Sequence, residues 1–424
     1  MALSIVKIRT RIDWAMLVTA AVLVLSFVWL SAKWNFANAL STRADRKEIA
    51  DLAVDLAPSD PQTRFAAAAI YRRSFDTADQ DRSLAEYERV AALSPDNYLC
   101  WLELGHARER SGDQPGAEIA IKRALDLAPN YADVQWAYGN TLLRAGKADD
   151  GFVFISSAAR ANTLYTGPAV VTTLEMTNGS VEPVRQQIGD SPAVNSALAT
   201  YLTGQKRFDE AVTAWELIPA DLRNTEMKEA GTRIASSLLT AKQYRLAARV
   251  YGDVYDAGSE KITAGKVFDG GFENGVKLTG ASGFEWQISA GTEPQIAISQ
   301  KQHHGGANSL LLVFNTMLAS DFRGVLQTFA GDPSASYEFE AFYRSELKAG
   351  YTVRWEIVNA MDGSVIVTSD PVAAISDWNA IRVKFTMPTT SDGVYVTLVR
   401  DRCPSTVCAI NGSLWFDDIS IRKL

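Results

Sequence analysis

The apolar and polar positions follow three successive patterns along the 424-residue chain, and each pattern predicts a different kind of element. From Trp14 to Ala32, 19 successive residues carry no charge (WAMLVTAAVLVLSFVWLSA). A helix of that length is about 28 Å long, close to the hydrocarbon thickness of a bilayer, and only a helix satisfies its own amides there. From about residue 42 to 258, apolar residues recur at helical spacing in paired segments punctuated by Gly and Pro. From 267 onward the period becomes two: Val353, Trp355 and Ile357 alternate with Arg354 and Glu356, and Ile381, Val383 and Phe385 with Arg382 and Lys384. YEFEAFYRSE (337–346), TVRWEIV (352–358), AIRVKFTMP (380–388) and VYVTLVR (394–400) therefore predict strands. A stretch of this length holds about eight to ten of them in a sandwich. The predicted organisation is a short segment over 1–13, a transmembrane helix over 14–32, an all-α array over 42–258, a linker over 259–266 and an all-β sandwich over 267–424.

The helical region repeats. Tyr98–Tyr131 is a 34-residue unit, and a shift of 34 brings Gly105 onto Gly139, Gly112 onto Gly146, Ala117 onto Gly151 and Ala124 onto Ala158. Small residues belong where two helices of a hairpin approach closely. Gly112 and Gly146 end the first helix of a pair, and Pro129 ends the second. The preceding unit, Pro61–Asn97, is 37 residues long, which places three extra residues in the loop around FDTADQD. An earlier helix, Arg43–Ala57, closes at Pro58. Ser191–Pro219 and Thr225–Asp256 predict further hairpins, and Leu164–Asp190 an irregular pair, for five to six hairpins in all. The period and the landmarks Trp101, Leu104, Gly105, Gly112, Ala117, Ile121, Ala124, Leu125 and Pro129 resemble the tetratricopeptide repeat.

That resemblance implies a solenoid whose first helices line a concave, protein-binding groove. Projected onto it are Phe65 and Arg73, then His106 and Arg110, then Trp136, Asn140 and Arg144. Arg73, Arg110 and Arg144 share one repeat position. They read either as a guanidinium ladder for carboxylates on a partner or an acidic glycan, or as helix-end arginines that complement the dipole. Trp136 reads either as a partner contact or as packing between hairpins.

In the β region, FDGGFENG (268–275) as an opening strand, Trp286, HHGGANSLLLVF (303–314), SDWNAIRVKFTMP (376–388) and a closing GSLWFDDISI (412–421) together resemble the jelly-roll carbohydrate-binding modules of the galactose-binding-like type. The resemblance implies a two-sheet sandwich that stacks sugars on exposed aromatic rings. The candidates are Tyr343, Tyr351 and Trp378, with Trp286 and Trp355 weighted toward the core. It also implies a structural calcium held by Glu273 and Asp417 or Asp418; the alternative is that these are exposed turn acids.

Composition narrows the function. Hydrophobic residues make up 47% and charged residues 21%, a globular balance. A net charge of −7 argues against a general nucleic-acid binder. Three His and three Cys leave little for a His/Cys metalloenzyme. His303-His304 has no nucleophile motif nearby, and there is no phosphate loop, dinucleotide fingerprint or Gly-x-Ser-x-Gly elbow. Asp417 and Asp418, adjacent on a strand, are expected on opposite faces, unlike a glycosidase pair. A non-enzymatic protein is the expectation.

Lys7, Arg9 and Arg11 precede the apolar span and only Lys33 follows closely, which predicts a single pass with the N-terminus in the cytoplasm and the bulk outside, in a bacterium the periplasm. The rival is a signal peptide cleaved at Ala37-Asn38-Ala39, although the run exceeds the usual signal core and the site lies well past its end. Cys403 and Cys408, in CPSTVC, predict a disulfide, with a zinc site as rival, and Cys100 a buried thiol. The expectation is a membrane-anchored scaffold that binds proteins through its groove and glycan through its sandwich, around synthesis or export of a cell-surface polysaccharide. The alternatives are an assembly factor with a non-sugar-binding sandwich and a glycan-active enzyme.

Overall fold

The computed structural model describes residues 10–255, 260–318 and 320–424; Lys7 and Arg9 lie outside them. The apolar run forms one helix, α1 (Arg11–Ser41, 31 residues), opened by a capping box in which Thr10 and Asp13 exchange side-chain-to-amide hydrogen bonds of 3.1 and 2.9 Å. It extends nine residues past the predicted end at Ala32, because no Gly or Pro interrupts Lys33–Ser41. The chain then divides into two compact units, Met1–Gly189 and Asp190–Leu424. This boundary falls inside the predicted helical array, not at 259–266.

The first unit continues with α2 (Lys47–Leu56) and the hairpins α3 (Pro61–Tyr71)/α4 (Thr77–Leu93), α5 (Tyr98–Ser111)/α6 (Gln114–Leu127) and α7 (Ala132–Arg144)/α8 (Ala148–Ala161). Asp60, Asp76, Asn97 and Asp113 cap α3 to α6 through their side chains. The 34-residue period has a direct steric basis. Gly105 lies under Ile121 and Gly139 under Ile155, so both glycines let the paired helix carry a buried isoleucine. Gly112 and Gly146 adopt the left-handed conformation, with φ of 85° and 75°. The extra residues of the 37-residue unit go into the loop Arg72–Asp76 and into α4, which has 17 residues where α6 has 14. The irregular stretch forms a 3₁₀ turn (Thr163–Tyr165), α9 (Thr166–Met176) and a six-residue α10 (Glu182–Gln187).

Among its described residues the second unit holds α11 (Pro192–Gly204), α12 (Phe208–Glu216), α13 (Ala220–Arg223), α14 (Lys228–Thr240) and α15 (Tyr244–Val254), followed by ten strands. These are β1 (Gln287–Ile288), β2 (Gln295–Ser299), β3 (Ser309–Leu318), β4 (Val325–Ala330), β5 (Ser336–Ala349), β6 (Val353–Asn359), β7 (Val365–Thr368), β8 (Ile375–Thr386), β9 (Gly393–Arg400) and β10 (Val407–Lys423). They form two five-stranded antiparallel sheets, in the orders β1-β4-β9-β6-β7 and β2-β3-β10-β5-β8. Buried rings fill the space between them: Trp355 meets Trp286, Phe339 and Phe416 at centroid distances of 6.1, 5.5 and 5.2 Å.

FDGGFENG is not the predicted opening strand. Asp269 and Phe272 take φ of 50° and 58° and Gly275 a φ of 78°, so the segment turns instead of extending. Asp269 staples the turn: its carboxylate accepts the Asn274 amide at 3.1 Å, and its carbonyl accepts the Trp286 indole N–H at 2.9 Å. Burial pushes the Asp269 carboxyl up to about 6 against the pull of the Asn274 amide, and Glu260 adds to the rise.

The described part of the predicted linker is pinned, not free. Ile262 is buried, its carbonyl lies against Gly252, and the Gly265 amide donates to the Ala330 carbonyl at 2.7 Å. The last hairpin covers the outer face of the first sheet. Tyr244 Oη donates to the Ala360 carbonyl at 3.0 Å, and a side chain at Gly393 would collide with the Tyr244 ring. Gln243, at the N-cap of α15, makes no side-chain cap. Asp392, in the β8–β9 turn, supplies it instead: its carboxylate accepts the Tyr244 and Arg245 amides at 3.1 and 2.9 Å.

Three outcomes follow from this architecture. A Cβ at residue 105 would fall 2.2 Å from Ile121 Cγ1, so Gly105→Ala should cost about 1–3 kcal/mol in denaturant unfolding, part of it restored by Ile121→Val. Asp392→Ala should cost about 1–2 kcal/mol and raise amide exchange at Tyr244 and Arg245 first. For Asp269 the raised carboxyl means that its stabilising contribution is complete below the unfolded-state value and is lost as pH rises through about 6. Asp269→Asn should therefore flatten the fall in stability over that window, and the variant should be the more stable protein at neutral pH in parallel denaturation series.

Candidate functional site

The outer face of the second sheet is the open one. Along β5, Tyr337, Phe339, Ala341 and Tyr343 point into the core, while Glu340, Phe342 and Arg344 alternate outward. Tyr343 is therefore buried, its hydroxyl oxygen accepting the Ala373 amide at 3.3 Å, and is no sugar platform. Trp286 and Trp355 are likewise core. Tyr351 is exposed but sits in the turn beyond the end of β5, whereas Phe342 stands at the middle of that strand.

Of the predicted platform residues, Trp378 alone reaches this face, half-buried on β8. It does not act alone. The His304 ring lies 5.7 Å from it and stacks flat on Phe342 at 3.9 Å. Arg344 stands beside them, donating to Asp377 at 2.5 Å and to Glu346 at 3.0 Å. Trp415 is opposite Arg344 on β10 and is nearly enclosed. Among the described residues, Trp415 Nε1 and Arg344 Nε are buried with no hydrogen-bond partner. Phe342, Arg344 and Trp415 were not singled out by sequence reasoning. Strand parity carries the signal, since each alternates with residues that pack inward.

His304 is held by the acids. The ladder between β10 and β5 shifts register between Asp417 and Ser420, and Asp418 takes a φ of 46°. This bulge overturns the expectation that Asp417 and Asp418 point to opposite faces: both meet the loop His303–Asn308. Asp417 Oδ2 accepts the His304 and Gly305 amides at 2.6 and 3.0 Å, and Oδ1 the Asp418 amide at 2.7 Å. Asp418 Oδ2 lies 2.6 Å from His304 Nδ1. Glu273 takes the far end of the same loop, Oε1 accepting the Ala307 amide at 2.7 Å and Oε2 the Asn308 side-chain N–H at 3.2 Å. Burial raises the Asp417 carboxyl while the amides of His304, Gly305 and Asp418 pull it down, for a net rise.

Glu273, Asp417 and Asp418, the residues expected to hold a structural calcium, meet the two ends of one loop. The oxygens of Glu273 and Asp417 face N–H donors, and among the described residues no group of three His, Cys, Asp or Glu is placed to hold a metal. They staple a loop. At the far end of β10, Cys403 and Cys408 are bridged as predicted, and Cys100 is a buried thiol.

In the first unit the arginines do not form a ladder of equivalent groups. Arg73 lies past the end of α3, because that helix is shorter than α5. Arg144 is ion-paired with Glu109, which also accepts the Thr141 hydroxyl at 2.7 Å and lies 3.4 Å from His106 Nδ1. Burial raises the Glu109 carboxyl, but the bonds from His106, Thr141 and Arg144 outweigh it and hold it at about 2. Arg110 is exposed in the last turn of α5. Trp136 stacks on Tyr165 at 5.1 Å, and the Asn140 side chain donates to the Trp136 carbonyl at 2.8 Å; both residues are half-buried. Phe65 meets Tyr87 edge-on at 5.7 Å and lines a cleft with Gln62, Asn97 and Leu99.

No protein-family model matches this chain, and no curated protein matches it. Among solved structures, MamA of AMB-1 is similar to it at 21% identity over 27% of this chain and 66% of that one, with a TM-score of 0.25. The CBM22-1–GH10 modules of Clostridium thermocellum xylanase 10B, complexed with xylohexaose, are 19% identical over 33% of this chain and 26% of theirs, with a TM-score of 0.25. A CBM4 structure is 11% identical over 37% of this chain and 99% of its own, with a TM-score of 0.27. This chain thus spans just under two thirds of the MamA chain and about a quarter of the xylanase chain.

Proposed function

We propose that the protein is a membrane-tethered adaptor that holds protein partners on its helical hairpins and glycan on the open face of its sandwich, without making or breaking covalent bonds. The observation that carries the glycan half is the contrast between the two sheets. The first is covered by α14 and α15, whereas the second presents Trp378 and His304, backed by Phe342 and flanked by Arg344 and Asp377. Axial C–H groups of a pyranose stack on such rings, and the charged neighbours bond its hydroxyls. The cleft beside Phe65 and the exposed Arg110 support a protein-binding role for the hairpins. α1 supplies the tether, and the Cys403–Cys408 bridge supports a sandwich in an oxidising compartment such as the periplasm. The absence of catalysis is part of the reading: Glu273 and Asp417 are occupied in stapling the loop.

One observation favours a sandwich that docks protein and no sugar: Asp377 and Glu346 already occupy the Arg344 guanidinium, leaving fewer free hydroxyl-binding groups. A glycan microarray probed with the detergent-solubilised full chain separates the two readings. Binding to at least one glycan, weakened about tenfold or more by Trp378→Ala and unchanged by Tyr343→Phe, is the expected result. Binding to none by the unmodified protein would leave the protein-docking reading.

A further inference from the structure

We infer that the end of α1 is both membrane stalk and first packed helix of the repeat array, and that Trp34 and Phe36 seat it in the lipid headgroup layer. The inference rests on reading Trp14–Ala32 as the membrane span. Beyond that span α1 becomes two-faced. Ala37 and Ser41 are buried, Lys33 and Leu40 are half-buried, and the helix packs on α2 and α3. The half-buried position 33 and the buried positions 37 and 41 recur every four residues, the spacing of one helix face. Trp34 and Phe36 lie off that face, 53% and 58% exposed.

Length then decides where those two rings are. Ala37 is five residues past Ala32, a rise of about 7.5 Å. The headgroup layer on each side of the hydrocarbon is about 5–8 Å thick. Residues 33–37 therefore cross that layer, and α2 and α3 begin packing where it ends. The Trp34 indole, with one polar edge, favours this depth, the apolar Phe36 ring favours the headgroup/acyl boundary, and Lys33 brings positive charge to the level of the lipid phosphates. No flexible segment separates span from repeat. The small-residue motif Ala37-Asn38-Ala39 lies within a continuous helix with Ala37 enclosed, so proteolysis there would require the helix to open and would strip a packed element from α2 and α3.

The test places a photo-crosslinking benzoylphenylalanine at Leu23, Phe36 or Ile119 in the full chain, reconstituted in nanodiscs of phosphatidylglycerol and phosphatidylcholine. Lipid adducts by mass spectrometry are expected at 23 and 36 and not at 119, which is exposed on α6. Adducts at 23 but not at 36 would overturn this inference and leave the membrane span standing. Adducts at neither would remove the span and this inference with it. The intact mass of chain extracted from membranes is the second readout: it should include the residues before Ala37, and their loss would overturn the inference even if position 36 is tolerant of substitution.

Discussion

The Asp392 carboxylate on the first amides of α15 is the contact on which the second unit turns. The first four N–H groups of a helix have no partner within it, and Gln243 offers none from its side chain. A carboxylate donated from a turn of the sandwich satisfies two of them and meets the positive end of the helix dipole. The bare Gly393 next in the chain lets the Tyr244 ring close over the sheet edge, and Tyr244 Oη then reaches the Ala360 carbonyl. Helix and sandwich are thereby registered by directional bonds from the backbone amide and the hydroxyl of one residue, over a surface that apolar contacts alone would leave free to slide.

That registration has a functional consequence. A two-sheet sandwich has two outer faces, and packing the last hairpin on one leaves the other open to solvent. The covered face offers Tyr395 and Thr397 to a cleft shared with Leu239 and Tyr244. The open face carries Phe342 and Trp378 on neighbouring strands, and a loop folds His304 onto them. Asp417 and Glu273 hold the loop by accepting its amides and Asp418 meets the His304 ring, so the ring cluster is fixed by the fold itself. A buried, hydrogen-bonded carboxylate such as Asp417 is costly in isolation and tolerable here because two loop amides and the next residue's amide replace its water.

In the helical hairpins the same economy of charge appears in another form. Glu109 on α5 ties Arg144 and Thr141 on α7, and Arg72 at the end of α3 pairs with Glu103 on α5. Arginines that recur at one repeat position are thus divided between stitching neighbouring hairpins and facing solvent. The repeat conserves backbone packing, through Gly105/Ile121 and Gly139/Ile155, more strictly than it conserves what its side chains do.

Local rules account for the parts that were legible in the sequence. An uncharged run long enough to span a bilayer, glycines and prolines at a 34-residue spacing, alternation of period two and a closely spaced cysteine pair each act over a few residues. They led directly to α1, the hairpins, the two-sheet sandwich and the disulfide. Strand parity also carried Phe342 outward and Tyr343 inward, although the bulkier candidate drew the assignment. Contacts across long sequence separations decided the rest. The bulge at Asp418 turned two adjacent acids to one loop, Glu109 claimed Arg144, and Asp392 reached back to α15 and chose which sheet face stays open. Sequence periodicity reports which face of an element is apolar; it holds no information about which distant carboxylate will find an unpaired amide, and only the folded chain resolves that competition.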